Sequence, residues 1–546
     1  MFRLLACALW TTVAALPGLA GEPAEVARRI DAEIQRVLKQ SNAAPATIAD
    51  DAEFLRRAFL DLTGRVPTVP QATAFLDSKD PAKRAKLIDD LLASPNFGEQ
   101  FGRIWRDWIA PAELPSEGNG GNQPIAATQN LGKWFAARFN ADEGWDAIVR
   151  KVLTADGTLK EQPQGLFFSL AGTDTGKPEP AGAARAIGSL FLGMQLQCAE
   201  CHDDPFKHYK QSDYWGLAAF FRNVGWKFNG RYFDMVTELP GGVPQGGKDK
   251  LQTISDKSPF AKITIPKGAL KNGGTVIPGK YPEGAVLAAE DGKPLRPILA
   301  DWLTAKENPY FARTFVNRTW SYFFARGIVH PIDDMREKNP PSHPELLAYL
   351  AEEFAANGYT VKHLVKAITL SNAYQRTSRP LNGDAPDLAA KFGRMPVKVM
   401  TADDLYDSLR LAYADPGLDI RNYDPKEAQR FGESSPVGTA YDEFAKLFVT
   451  NEDDATDFTH GIPQMLAMVN HPKLRSGGKA VEELVKSKAE PAAAVETLYL
   501  STLSRRPTSE ESAEAVAFLE KRTDAKKGYA GILWMLVNRS EFMVIR

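Results

Sequence analysis

Apolar positions recur at helical spacing along most of the chain. From Ala24 to Gln40, Val26, Ile30, Ile34 and Val37 share one side, with charged residues between them. The pattern repeats over 52–62 with Phe54, Ala58 and Leu62, and over 82–93 with Leu87 and Leu91. Ser94-Pro95 then opens a helix carrying Phe101, Trp105 and Trp108. Helical texture resumes at 130–153 and at 183–195. Between these, 113–124 and 172–182 read as loops. Further helices are predicted at 297–305, 309–325, 344–357, 360–374, 401–413, 462–470, 490–503, 508–522 and 526–542.

The texture changes at Gly225. Twelve of the 42 glycines fall between there and Gly292, so a continuous helical core is not expected in that stretch. Two short β-like runs, 261–265 and 275–277, flank the turn chemistry of Asn272-Gly273-Gly274. The predicted architecture is mainly α: a multi-helical, two-domain protein with a small β-rich insertion. Residues 24–225 form the helical N-terminal domain, 226–295 the Gly/Pro-rich insertion or linker, and 296–546 the helical C-terminal domain.

One phrase recurs. Phe59 to Thr68 (FLDLTGRVPT) resembles Tyr499 to Thr508 (YLSTLSRRPT), and each is followed by Phe-Leu-acid, at Phe75-Leu76-Asp77 and Phe518-Leu519-Glu520. Either one helical unit is used twice, or two helical hairpins share a capping solution.

The first twenty residues are expected to be a processing signal. Arg3 precedes the apolar run Leu4–Leu16, and Pro17-Gly18-Leu19-Ala20 ends in small residues. Cleavage near Ala20 predicts a periplasmic or secreted protein and removes Cys7. Only Cys198 and Cys201 would then remain of the three cysteines. The apolar run is shorter than the roughly 20 residues of a span, and no later segment reaches about 18, so no membrane span is expected in the mature chain. The 66 basic and 68 acidic residues leave a net charge of −2, which gives no electrostatic case for nucleic-acid binding.

Chemistry concentrates in Cys198-Ala199-Glu200-Cys201-His202, the Cys-x-x-Cys-His pattern of covalent c-type haem attachment. On a helical turn the two thiols share a face and can each add to a haem vinyl group. His202, four residues from Cys198, can ligate the iron as the proximal ligand. The competing uses are a Cys198–Cys201 disulfide or redox dithiol, and another metal site lacking a local fourth ligand. The sixth iron ligand is open among His208, Met194, Met235, His330, His343, His363, His460 and His471. A vacant sixth position would permit peroxide or gas chemistry, and a filled one favours electron transfer. Tyr214-Trp215 and Phe220-Phe221 read as haem-pocket wall or as ordinary core. Asp203-Asp204 read as an imidazole-orienting or acid/base pair or as a solvated turn. Asp333-Asp334, and Glu452-Asp453-Asp454 with Asp457, read as cleft or calcium carboxylates or as loop and cap residues. Asn317-Arg318-x-Trp320 places an arginine near an aromatic residue. No nucleophile elbow, P-loop or dinucleotide fingerprint occurs.

These phrases also carry a resemblance. Leu192 to Phe206, Asp213 to Phe221 and Arg57 to Pro67 are similar to the N-terminal part of exported cytochrome-like proteins of planctomycetes and verrucomicrobia. Asn308 to Arg313, Val316 to Trp320, Gly327 to Asp334 and Asn339 to Leu347 are similar to their C-terminal part. Such proteins pair two domains of unknown function, a PSCyt-type domain with Cys-x-x-Cys-His and a PSD-type domain. The resemblance runs from about residue 50 to 546 and implies a cytochrome-like role. Where relatives often carry a second histidine two residues after the motif histidine, this chain has Asp204.

The expected function is a mono-haem c-type cytochrome-like protein in periplasmic electron transfer or redox chemistry, with unidentified exported redox or extracellular partners. Cys198, Cys201 and His202 are its cofactor-binding residues and His202 its metal ligand. The alternatives are a non-haem binding or scaffold protein with a Cys198–Cys201 disulfide, and an extracellular polysaccharide hydrolase using carboxylates near 203–204 or 333–334.

Overall fold

The computed structural model describes residues 21–110, 125–170, 178–205, 209–228, 233–239, 252–253, 258–268, 272–282, 284–288, 292–380, 387–416, 418, 448 and 462–546. The proposed signal, the 113–124 loop, His208, His460 and the Glu452–Asp457 carboxylates lie outside them.

The fold is mainly α-helical with small sheets. Helices form where the apolar period predicted them, and local chemistry sets their ends. The 130–153 texture is two helices, Ile125–Asn140 and Trp145–Leu153, separated by a turn in which Asp142 takes a left-handed φ of 54°. Ser371 divides the 360–374 stretch by capping the short helix Asn372–Gln375. The predicted helix 183–195 is shorter than expected. Pro180–Ile187 is α-helical, Gly188–Leu192 widens into a π-turn, and Gly193 at φ 65° ends it. A Cβ on Gly193 would lie 2.9 Å from the Met335 sulfur and 3.0 Å from Thr314 Oγ1, so both backbone conformation and packing require glycine there.

The β-rich insertion holds the expected hairpin. Lys262–Thr264 pairs antiparallel with Val276–Pro278, with Ile263 opposite Ile277. A second sheet was not read from sequence. Val224–Phe228 and Phe233–Glu238 pair antiparallel, flanked by the two-residue strands Gly157–Thr158 and Gln252–Thr253. At its far end the chain returns to pair Val544–Ile545 with Lys398–Val399.

The recurring phrase has one local structure. Asp51–Thr63 ends at left-handed Gly64, and Thr68 then caps Val69–Asp77 with Gln71. Pro491–Leu503 ends at left-handed Ser504, and Thr508 caps Ser509–Glu520 with Glu511. In each, the left-handed residue stops the first helix and the Thr box starts the second.

Chain order and packing partition the molecule differently. One hydrophobic core runs from Val26 to Met395, with Leu500. A second draws on residues 400–545, with Leu60 and Val66. The Asp51–Thr63 helix joins them and is buried from Glu53 through Thr63. Its charged side chains are therefore met by protein. Glu53 accepts from Arg57, Thr377 and Ser378. Arg56 donates to the carbonyls of Thr502 and Phe542, and Arg57 to those of Tyr374, Arg376 and Arg546. Burial pulls Arg56 down only to about 10, so it keeps its charge at neutral pH. Asp61 accepts from Lys398 Nζ at 2.6 Å and Tyr374 Oη at 2.9 Å.

Both members of the Asp61–Lys398 pair are buried, so removing one strands the other's charge. Lys398→Met is expected to destabilise the protein by about 3–5 kcal/mol. Asp61→Asn/Lys398→Met, which leaves no uncompensated charge, is expected to cost less than Lys398→Met alone. Denaturant unfolding of the two variants checks this.

Candidate functional site

Cys198 and Cys201 lie at a short turn on the surface. Gln197–Glu200 is a 3-10 helix with Cys201 as its C-cap. The carbonyl of Cys198 accepts from the backbone N–H of Cys201 and, at 3.4 Å, from that of His202, so one turn of backbone joins all three residues of the motif. Both cysteines are exposed free thiols, whereas Ala199 between them is buried and anchors the turn.

Beneath the thiols the turn is tied down at its carbonyls. The helix Gln211–Ala218 supplies the ties. Trp215 Nε1 donates to Glu200 O at 2.9 Å, and Gln211 Nε2 donates to Cys201 O at 2.9 Å. Asp203 Oδ1 accepts from Gln211 N at 3.0 Å. The Glu200 carboxylate pairs with Arg185 at 2.8 Å and accepts from the Tyr214 hydroxyl at 2.9 Å. Burial, and then the Glu200 charge, push the Tyr214 hydroxyl well above its ordinary range, so it stays protonated. The β-hairpin joins the support, since Asn272 donates to Gln211 Oε1 at 3.0 Å. Tyr214, Trp215, Phe220 and Phe221 are all buried in the core, and of the four Tyr214 and Trp215 bind Glu200 of the motif.

His202 is half-buried, and its Nδ1 lies 2.7 Å from Asp203 O. A carbonyl oxygen only accepts, so Nδ1 carries the proton and Nε2 keeps its lone pair. The backbone of Asp203, not its carboxylate, thus orients the imidazole. Asp204 is buried, and its backbone N–H donates to Tyr209 O.

The sixth-ligand candidates are scattered. Met194 adjoins the motif in sequence but is sealed in the core. Met235 lies in the Phe233–Glu238 strand opposite Thr158 and Lys227. His330 precedes a cis bond to Pro331. His363 is half-buried on Val361–Leu370, and His471 is a buried residue at the start of Pro472–Ser476. His343 is fully buried against Phe392.

The carboxylates at 333–334 are engaged by protein. Asp333 accepts from Ser189 Oγ and Gln195 Nε2, and Asp334 pairs with Arg336 at 2.9 Å. Arg318 sits 5.5 Å from the Trp108 ring centre rather than beside Trp320. Sequence reasoning missed Gln195, Gln211 and Asn272, whose amides mark no chemistry until the fold places them. Among the described residues no three His, Cys, Asp or Glu side chains converge as a metal site. A crevice beside Pro180, Phe168 and Phe221 has no room for water. A larger cavity of 440 Å³, lined by Arg475, Lys526, Lys527 and Trp534, belongs to the C-terminal helices.

Residues 29–225 match PSCyt2, described as a protein of unknown function (DUF1549). Residues 295–519 match PSD1, also described as a protein of unknown function (DUF1553). The chain joins a PSCyt2 region to a PSD1 region. No curated protein and no solved structure matches it. The Cys-x-x-Cys-His turn lies near the end of the PSCyt2 region. Asn317-Arg318 and Asp333-Asp334 belong to the PSD1 region. Among the described residues no helix is long and apolar enough to cross a membrane.

His343 generates a pH prediction. Its Nδ1 meets Ser342 Oγ at 3.0 Å, while Nε2 has no hydrogen-bond partner. Burial, with the Arg36 charge behind it, lowers its pKa to about 4. Between there and the ordinary histidine value near 6.5, the unfolded chain binds a proton that the folded chain does not. This contribution is complete above about pH 6.5 and is lost as pH falls toward 4, by about 3 kcal/mol in all. The stability difference between wild type and His343→Gln is therefore expected to shrink between pH 7 and pH 4.5, as measured by urea unfolding.

Proposed function

We propose that this is an exported c-type cytochrome-like protein acting in periplasmic redox chemistry, with one haem attached through Cys198 and Cys201 and His202 as its proximal ligand. The observation that carries this reading is the surface turn itself, which offers two exposed free thiols beside an imidazole whose Nδ1 is held by a carbonyl, leaving Nε2 for a ligand. Among the described residues no three metal-ligating side chains converge at this turn, which favours haem attachment over a compact zinc site. Such a group supplies one-electron redox chemistry when bound.

The chain's own part is preparation. Trp215 and Gln211 hold the turn carbonyls, so the thiols are presented on a fixed frame. The carbonyl of Asp203 fixes the His202 tautomer and makes Nε2 the ligating atom. The apolar run before Ala20 directs export, and covalent attachment then keeps a cofactor from being lost to dilution outside the cell.

Protein expressed with a c-type haem maturation system is expected to show a Soret band that stays with the denatured polypeptide. Cys198→Ala/Cys201→Ala is expected to abolish it. His202→Ala is expected to keep the covalent band and alter its position, because attachment and ligation reside in different side chains. A folded, colourless protein would sink the proposal. Thiol titration and metal analysis would then separate the dithiol, disulfide and metal readings.

A further inference from the structure

The PSD1 region holds the segment that leads into the Cys-x-x-Cys-His turn. After Ile187 the chain widens into the π-turn Gly188–Leu192, reverses at Gly193, and reaches Leu196, whose carbonyl starts the cysteine turn by accepting from Ala199 N at 3.0 Å. Both ends of this lead-in are bound by one carboxylate. Asp333 Oδ2 accepts from Ser189 Oγ at 2.8 Å, and its Oδ1 accepts from Gln195 Nε2 at 2.7 Å. Between the two ends, Met335 N donates to Gly193 O at 2.9 Å. Arg318 Nη2 donates to Ser189 O at 2.8 Å and lies 3.1 Å from Ser189 Oγ.

The staple is itself held in place. Asn317 donates to Val329 O and Ile332 O and accepts from Val329 N, which fixes the loop that carries Asp333. Gly327 lets that loop approach, since a Cβ there would lie 2.8 Å from Asn317 Nδ2. The phrases Asn317-Arg318 and Gly327 to Asp334 thus form one cradle, and what it grips is the approach to Cys198.

We infer that Asp333 and Arg318 are positioning residues for the cysteine turn, and that setting the relative presentation of Cys198 and Cys201 is a function of the PSD1 region. The π-turn keeps its own bonds, from Gly193 N and Met194 N to Gly188 O, while the carbonyls of Ser189 and Gly193 are taken by Arg318 and Met335, so the direction in which the chain leaves the turn is set from the PSD1 region. Gln195 lies three residues before Cys198, and a rotation there passes directly into the turn. The inference rests on reading Cys198 and Cys201 as the working thiols.

The test uses the full-length, haem-free, reduced protein. Alkylation of Cys198 and Cys201 by iodoacetamide is followed separately by peptide mass spectrometry, alongside thermal unfolding. Asp333→Ala, which removes both acceptors of the staple, is expected to change the Cys198:Cys201 rate ratio by about threefold or more well below its Tm. Gln195→Leu, which removes one arm, is expected to move the ratio the same way. The double variant is expected to add little, because both changes break one staple. Arg506→Gln, at a remote exposed ion pair, is expected to leave the ratio unchanged.

Loss of stability alone would not move the ratio, since both thiols are already exposed. An unchanged ratio in folded Asp333→Ala, or in Gln195→Leu should the first variant fail to fold, would overturn the inference. Because the readout needs no haem, a colourless protein would remove the attachment proposal while leaving this result standing, and an unchanged ratio would do the reverse.

Discussion

The structure depends on desolvated charge in one helix. Asp51–Thr63 is buried along most of its length, yet it carries Glu53, Arg56, Arg57 and Asp61. Each charge has lost water and must recover its hydrogen bonds from protein. The partners come from distant places: the 374–378 segment, Lys398, Thr502, Phe542 and the C-terminal Arg546. Apolar burial tolerates small shifts, but a guanidinium that needs two particular carbonyls does not. The helix therefore specifies how the two hydrophobic cores meet, and the strand pairing of 398–399 with 544–545 closes the chain around it.

This arrangement explains what the sequence did and did not disclose. Helix positions were legible because the 3.6-residue period of residues such as Val26, Ile30 and Ile34 reflects a one-sided environment. The 262–278 hairpin was legible because Asn272-Gly273-Gly274 is turn chemistry between β-branched runs. The recurring phrase at 59–68 and 499–508 disclosed a real local structure through its stop and cap residues. The charges of the 51–63 helix concealed its burial, since Arg and Glu between apolar positions look the same facing water or facing carbonyls. The Val224–Phe228 and Phe233–Glu238 strands were hidden by Gly225 and by partners only two residues long. At the candidate site, Cys198, Cys201 and His202 were legible as a spacing pattern. Gln195, Gln211 and Asn272 were not, because a neutral amide acquires a role only from what the fold sets opposite it.

The turn that bears the thiols is held on two sides by chemically different devices. On one side Gln211, Trp215 and Asn272 use neutral donors to bind its carbonyls or one another. On the other, the Asp333 carboxylate and the Arg318 guanidinium bind the lead-in. Neither set touches the sulfurs. Their shared effect is to remove backbone freedom while leaving both thiols exposed.

The pairing of the two regions then acquires a physical reason. A PSCyt2 region alone would keep its cysteines but lose the cradle under residues 189–195. A PSD1 region alone would keep Asp333 and Arg318 but lose Ser189 and Gln195, the groups they hold here. Their cores are already shared, since residues 296–395 pack in the same cluster as the N-terminal helices. The β-hairpin between the two regions, through Asn272, binds Gln211, which in turn holds the Cys201 carbonyl. Three segments that are separate in the sequence therefore support the cysteine turn, its lead-in and the glutamine that holds it. That convergence is expected if the orientation of the cysteine turn, rather than any one side chain on it, is what the assembled chain has to maintain.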